Sequence, residues 1–184
     1  KSGGLSNVDA SIVTYTPAGI GAVNTTVQAQ LRREVYVTDF GADPTGMVDS
    51  VFAFNAAITH LKTVGGGKLK ISAGTYKMSS MWQVTSVSNA YNLVVEGAGA
   101  NITILDFSTA SAGVHGVDFY GGGVRLRLKG FSIINAPGYG LALNRGFVAT
   151  YMSRIRVEDI IINGCGNTGL YAEGLYIATF ADIE

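Results

Sequence analysis

The chain has 184 residues, 47% of them hydrophobic, enough to bury one core and too apolar for a disordered chain. Thirteen basic residues cancel thirteen acidic ones, so no overall field draws it to nucleic acid or an anionic membrane, and any charge-based role is local. No apolar run reaches the roughly 18 residues of a membrane span, and the N-terminus lacks the basic-then-apolar plan of a secretion signal. Glycine, at 25 residues against 3 prolines, suits many short strands joined by tight turns. The single cysteine, Cys165, has no internal disulfide partner and reads as a buried or turn-packed thiol.

Residues 1–23 are rich in Gly, Ser, Thr and Ala without periodicity and read as an extended lead-in. A short helix comes next, with Asn24, Thr25 and Thr26 as N-cap candidates. Its stripe of Val27 and Leu31 is too narrow to hold a helix alone, so it needs a partner in its own domain or in copies of itself. Residues 1–34 therefore form a linker or neck. Val35 to Phe40 alternates as a strand, and Gly41 to Gly46 is dense turn chemistry. An amphipathic helix is expected over 49–61, capped by Asp49 or Ser50, with Val51, Phe54, Ile58 and Leu61 on one stripe. Gly65-Gly66-Gly67 ends it, Lys68 to Ile71 reads as a strand, and Gly74 to Met78 as a turn into another.

From about residue 92 the texture changes to short β-branched runs broken by Gly and Asn, and a repeat emerges. At an offset of 29, Leu126 falls over Ile155, Leu128 over Val157, Phe131 over Ile160 and Ile133 over Ile162; Gly140-Leu141 falls over Gly169-Leu170. Asn135 and Asn163 are out by one position, which predicts a local register slip. Asp159-Ile160 meets Asp182-Ile183 at an offset of 23, and Val95-Glu96-Gly97 meets Leu128-Lys129-Gly130 at 33. Variable spacing around a recurring strand-turn-strand unit suits a solenoid with loop insertions, one of them at 145–150. A doubly wound sheet would need a helix of roughly ten or more residues between parallel strands, and no such helical pattern lies between these, so a parallel β-helix fits better. The expected fold class is all-β, a parallel β-helix, with residues 35–91 as its cap, the helix 49–61 covering the open end, and residues 92–184 as its first coils. The chain starts at Lys1 and ends at Glu184 inside an expected strand, so it reads as truncated at its C-terminus.

Asp39-Phe40-Gly41-Ala42-Asp43, Gly46, Asp49, Ala53, Asn55-Ala56-Ala57-Ile58, Gly65-Gly66-Gly67 and Ala73-Gly74-Thr75-Tyr76 together resemble the opening of pectate-lyase-like, right-handed parallel β-helix proteins. Ser72 stands where that family usually has proline, and Ser50 where a second Asp is common. Upstream, Thr14-Tyr15-Thr16-Pro17-Ala18-Gly19, Gly21-Ala22-Val23, Thr26 to Arg32 and Glu34 resemble the linker before the β-helix of bacteriophage tailspikes. The resemblance implies a homotrimer attached to the phage tail or baseplate by its N-terminal side. It further implies a place on the virion tail, outside the host, and a β-helix that binds and depolymerises a bacterial surface polysaccharide, as hydrolase or lyase. A non-catalytic tail fibre or adhesin, and a secreted pectinase-like lyase or epimerase, are the competing readings. No cofactor, metal, nucleic acid or membrane insertion is implied.

Hydrolysis of a glycan uses two carboxylates flanking the bond, and equivalent positions on adjacent coils lie about 4.8 Å apart, close to the roughly 5 Å of retaining enzymes. Asp159 and Asp182 are the best such pair by the repeat, although aspartates at strand starts more commonly accept backbone N–H bonds. Arg125, Arg127, Arg154 and Arg156 stack by the same alignment into an outward patch for acidic sugar or for a neighbouring subunit. Glu96, Lys129 and Glu158 form an acid-base-acid ladder that reads as structural. Trp82, Tyr91, Tyr120, Tyr151, Tyr171 and Tyr176 are candidate sugar platforms if exposed and core members if not. His60 and His115 share no metal spacing and read as structural, while Glu173 and Glu184 stay unassigned.

Overall fold

A computed structural model of the chain describes residues 9–31, 34–85, 92–121, 125–145 and 152–184. The chain forms two compact units, Lys1–Glu34 and Val35–Glu184. In the first, β1 (Thr14–Tyr15) pairs antiparallel with β2 (Thr25–Thr26), which leads into the five-residue helix α1 (Val27–Leu31). Thr26 Oγ1 accepts the Ala29 N–H at 3.1 Å, the N-cap bond its position suggests. Ile12, Ile20, Val23 and Leu31 of this unit stay exposed.

The second unit opens at Val35, within β3 (Glu34–Tyr36), and the expected strand stops there: Val37–Phe40 is a 3-10 turn. Asp39 Oδ2 accepts the Tyr36 N–H at 3.3 Å and Gly41 takes φ 90, so a local side-chain acceptor and a left-handed glycine outcompete extended backbone. Asp43 organises the next turn, accepting from the Thr45 hydroxyl and from the backbone N–H groups of Thr45, Met47 and Val48 across β4 (Thr45–Asp49). These bonds, the Thr45 hydroxyl's first, lower its pKa from 3.8 to about 2. A carboxyl depressed on folding contributes stability that is present above its unfolded pKa and lost as pH falls through its folded one. The melting temperature should therefore drop between pH 4 and pH 2, and Asp43→Asn should flatten part of that drop. Thermal melts of the two proteins across that range check it, and equal slopes would remove Asp43 from the account.

Helix α2 (Val51–Thr63) buries Val51, Phe54, Ala57, Ile58 and Leu61 on one stripe. Neither expected cap serves the helix with its side chain: the Ser50 hydroxyl accepts the Asp43 N–H at 3.0 Å, and Asp49 Oδ1 accepts the Ser79 N–H at 2.8 Å. Both residues fasten the helix start to neighbouring turns.

The rest is mostly β, in three parallel stacks. The first joins β5 (Gly66–Ile71), β8 (Asn92–Gly97), the leading half of β11 (Arg125–Ile134) and of β13 (Met152–Asn163), and β15 (Leu175–Ile183). Its inner row is Leu69, Val95, Leu128, Val157 and Phe180, in register. The second joins β4, β6 (Gly74–Lys77), β9 (Thr103–Asp106) and the trailing halves of β11 and β13, with the row Tyr76, Leu105, Ile133 and Ile162. The third joins β7 (Trp82–Thr85), β10 (Val117–Tyr120), β12 (Leu141–Leu143) and β14 (Leu170–Ala172), with the row Val84, Phe119, Leu143 and Ala172. Phe54 on α2 meets Tyr76 and Trp82 edge-on, at 5.4 and 4.9 Å between ring centroids, and Trp82 meets Phe119 at 5.7 Å. This aromatic group fastens the helix to the stacks.

The long strands turn from the first stack into the second at left-handed residues: Gly130 (φ 73) in β11, Asp159 (φ 50) in β13 and Asp182 (φ 52) in β15. Gly97 lies beside this column, where an added Cβ would run into the Gly130 carbonyl. The offset of 29 holds from Arg127 over Arg156 to Ile134 over Asn163 without the expected slip. The left-handed turn residue after β11 is Asn135 (φ 58) and its counterpart after β13 is Gly164 (φ 67), so Asn163 is not the equivalent of Asn135. Residues 146–151, which include most of the expected insertion at 145–150, lie outside the described residues.

Candidate functional site

In the third stack Trp82, Val84, Val117, Phe119, Leu141 and Leu143 are buried in the core. Strand alternation then turns Gln83, Asp118, Ala142 and Tyr171 to the opposite face, one residue per strand in an unbroken register. Asp118 is fully buried there, and the Arg145 guanidinium donates to its Oδ2 at 3.1 Å. Among the described residues, Asp118 Oδ1 and Arg145 Nε are buried without a hydrogen-bond partner. Burying a carboxyl group away from water is costly without a partner, and Arg145 supplies that partner to Asp118.

Beside this pair three rings stack along the strand-to-strand direction: His115 on Tyr139 at 4.7 Å, and Tyr139 on Tyr171 at 4.8 Å. The Tyr139 N–H donates to His115 Nδ1 at 3.0 Å. Burial, then the Arg145 charge, push the imidazole pKa below its ordinary value, and accepting the Tyr139 N–H at Nδ1 places the proton of the uncharged ring on Nε2. The Tyr171 hydroxyl donates to Glu173 Oε2 at 3.0 Å, and that carboxylate raises the phenol pKa. Between α2, β7 and the turn at 113–115 lies a cleft of about 640 Å³ lined by Asn55, Thr59, Lys62, Gln83, Thr85 and His115 among others. Lys62 Nζ donates to the Thr85 carbonyl at 2.5 Å, and burial lowers its pKa.

The residues singled out from the sequence fall elsewhere. Asp159 and Asp182 stand at equivalent bends of adjacent strands, flanked by the pairs Glu158 with Ala181 and Ile160 with Ile183. Both have left-handed backbone, with φ of 50 and 52. Arg127 is in register with Arg156, but both engage Glu158, at 2.8 and 2.6 Å. These guanidiniums, Arg127's first, hold the Glu158 pKa below the usual carboxylate value. Arg125 pairs with Asn92 of β8, Arg154 has left-handed backbone (φ 59), and the β11–β13 register pairs Arg127 with Arg156. Lys129 lies between Glu96 and Glu158 in register, yet Glu96 pairs with Lys68 and Lys70 at 3.6 and 3.0 Å.

Trp82 is a core residue, while Tyr171 belongs to the ring stack and Tyr176 is exposed on β15. Tyr120 is half-buried; Tyr91 and Tyr151 lie outside the described residues. His60 packs on Phe40 at 5.8 Å, and the Cys165 thiol is half-buried, its pKa raised by burial. Glu184 pairs through its backbone with Ile160 and Ile162. The cluster of His115, Asp118, Tyr139 and Arg145 escaped sequence reading, since His115, Tyr139 and Tyr171 come from turns and strands of unequal spacing. The available signal was Asp118 alone, an acid between Val117 and Phe119 in an apolar strand.

Comparison with known proteins places the fold. The chain is 54% identical over 46 residues to alpha-1,3-galactosidase A of Peterkaempfera griseoplana, 24% of this chain and 6% of that protein. ORF18 of Geobacillus virus E2 superimposes with a TM-score of 0.61 at 20% identity, over 85% of this chain and 36% of that one. The catalytic unit of a GH87 alpha-1,3-glucanase from Streptomyces thermodiastaticus does so at 0.50 and 23% identity, over 95% and 32%. The chain thus spans about a third of the two structures and far less of the galactosidase. The family model for rhamnogalacturonase A/epimerase, pectate lyase-like proteins matches residues 35–130, just over half the chain. The chain belongs to this pectate lyase-like family.

Proposed function

We propose that this chain is the N-terminal part of a right-handed parallel β-helix in a bacteriophage tailspike that binds and depolymerises a bacterial surface polysaccharide during host attachment. The observation that carries the reading is the in-register parallel stacking. It repeats a side chain on each outer face about every 4.8 Å, a step that suits both an extended glycan and a pair of carboxylates. The pectate lyase-like family, the viral ORF18 neighbour and the glycan-acting names of the galactosidase and glucanase support it. The tailspike-like linker and its exposed Ile12, Ile20, Val23 and Leu31 support a homotrimer held to the phage tail by this end.

In this reading Asp159 and Asp182 are the acid and the base or nucleophile of cleavage. Arg125 and Arg154 are the guanidiniums open to glycan or a neighbouring subunit, with Arg127 and Arg156 already engaged by Glu158. The test is size-exclusion analysis of purified host surface polysaccharide after incubation with the full-length protein. Shortened polymer is expected, with cleavage at least 100-fold slower in folded Asp159→Asn and Asp182→Asn variants, by the usual worth of a general acid or base (roughly 10²–10⁴). Polymer bound but never shortened would make the protein an adhesin; undiminished cleavage by both variants would move the catalytic carboxylates elsewhere.

A further inference from the structure

The cleft between α2 and β7 runs along the edge of the helix that carries Asn55, Thr59 and Lys62. Its wall takes Asn55 and Thr59 from the helix, Ser80, Gln83 and Thr85 from around β7, and His115 from the turn before β10. Among the described residues the side chains of Asn55, Ser80, Gln83 and Thr85 make no hydrogen bond to protein, so four groups that each donate and accept converge on one space. No carboxylate and no guanidinium of the described residues lines it, and the ammonium of Lys62 is already engaged with the Thr85 carbonyl. Tyr139 covers one face of the His115 ring, and the same imidazole also borders the cleft. It is the terminal ring of the three-ring stack, held in orientation by the bond from the Tyr139 N–H.

We propose that this cleft is a subsite for one neutral hexose unit, stacked on the face of the His115 ring that Tyr139 leaves uncovered and hydrogen-bonded by Asn55, Ser80, Gln83 and Thr85. The volume of about 640 Å³ lies within the usual range for small-ligand sites and exceeds what one pyranose fills. Sugar hydroxyls both donate and accept, which matches side-chain amides and hydroxyls, whereas an acidic sugar would call for a fork of charged donors that this wall lacks. Gln83 shares its row with Asp118, so a unit held here sits at one end of the outward row of the third stack. The inference rests on the glycan reading above and adds to it a second place, distant in sequence from Asp159 and Asp182.

The experiment is saturation-transfer NMR on the full-length protein with methyl glycosides of glucose, galactose, mannose and rhamnose, and with galacturonic acid as the charged comparison. At least one neutral glycoside should show transfer, and His115→Ala and Gln83→Ala should each weaken it about tenfold, the order expected for one stacking or hydrogen-bonding partner. His115→Phe, which keeps a flat ring, should retain most of the binding. Transfer to galacturonic acid alone, no transfer at all, or full binding by both alanine variants would overturn the subsite. Polysaccharide shortening by the same preparations separates the two ideas: cleavage with an inert cleft removes the subsite only, and absence of both binding and cleavage removes the glycan reading as well.

Discussion

Trp82→Ala should lower the stability of the second unit by about 3–5 kcal/mol, the cost of emptying a large aromatic site in a packed core. Trp82 is fully buried, and its ring meets both Phe54 of the helix and Phe119 of β10 edge-on. Removing it therefore loosens the helix from the stacks as well as opening a cavity. Trp82→Phe should cost much less, because the indole N–H has no hydrogen-bond partner among the described residues and the aromatic contacts partly survive. Guanidinium unfolding followed by circular dichroism measures both. Equal losses for the two variants would show that the indole itself, and neither the volume nor the aromatic contacts that a phenyl ring keeps, is what matters at this position.

The second large effect is at the Asp118–Arg145 pair. Arg145→Ala leaves a fully buried carboxylate without its counter-charge, and breaking a buried pair in this way costs about 3 kcal/mol, the lower end of the usual range since Arg145 keeps 36% of its side chain in solvent. The double variant Asp118→Ala/Arg145→Ala should recover much of that loss, because the stranded charge is gone. Unfolding of the three variants measures the coupling. A double variant as unstable as the sum of the single ones would mean that the pair does not act as a unit.

The repeat was legible because a parallel stack imposes the same apolar row on each segment: Leu128 over Val157, Phe131 over Ile160 and Leu141 over Leu170 all stand in register. The helix was legible for the same reason, through Val51, Phe54, Ile58 and Leu61. Polar residues were less readable. Ser50 and Asp49 look like helix caps from spacing alone, yet they bond to Asp43 and Ser79, which only the folded chain brings near. Asn135 and Asn163 invited alignment by residue type, whereas backbone conformation makes Gly164 the partner of Asn135. Spacing aligns Arg127 with Arg156 as the register does, but it does not reveal the left-handed backbone at Arg154 or that Glu158, two residues along the strand, takes both Arg127 and Arg156. The cluster around Asp118 draws on β10, β12, β14 and two turns, so no single window of sequence contains it.

The central claim, that the protein acts on a bacterial surface polysaccharide, is tested most directly by adsorption of the labelled full-length protein to host cells that carry their surface polysaccharide and to isogenic cells stripped of it. Retention only on the coated cells, with shortened polymer released into the supernatant, is the expected result. Equal retention on both, with the polymer on coated cells intact, would contradict the account.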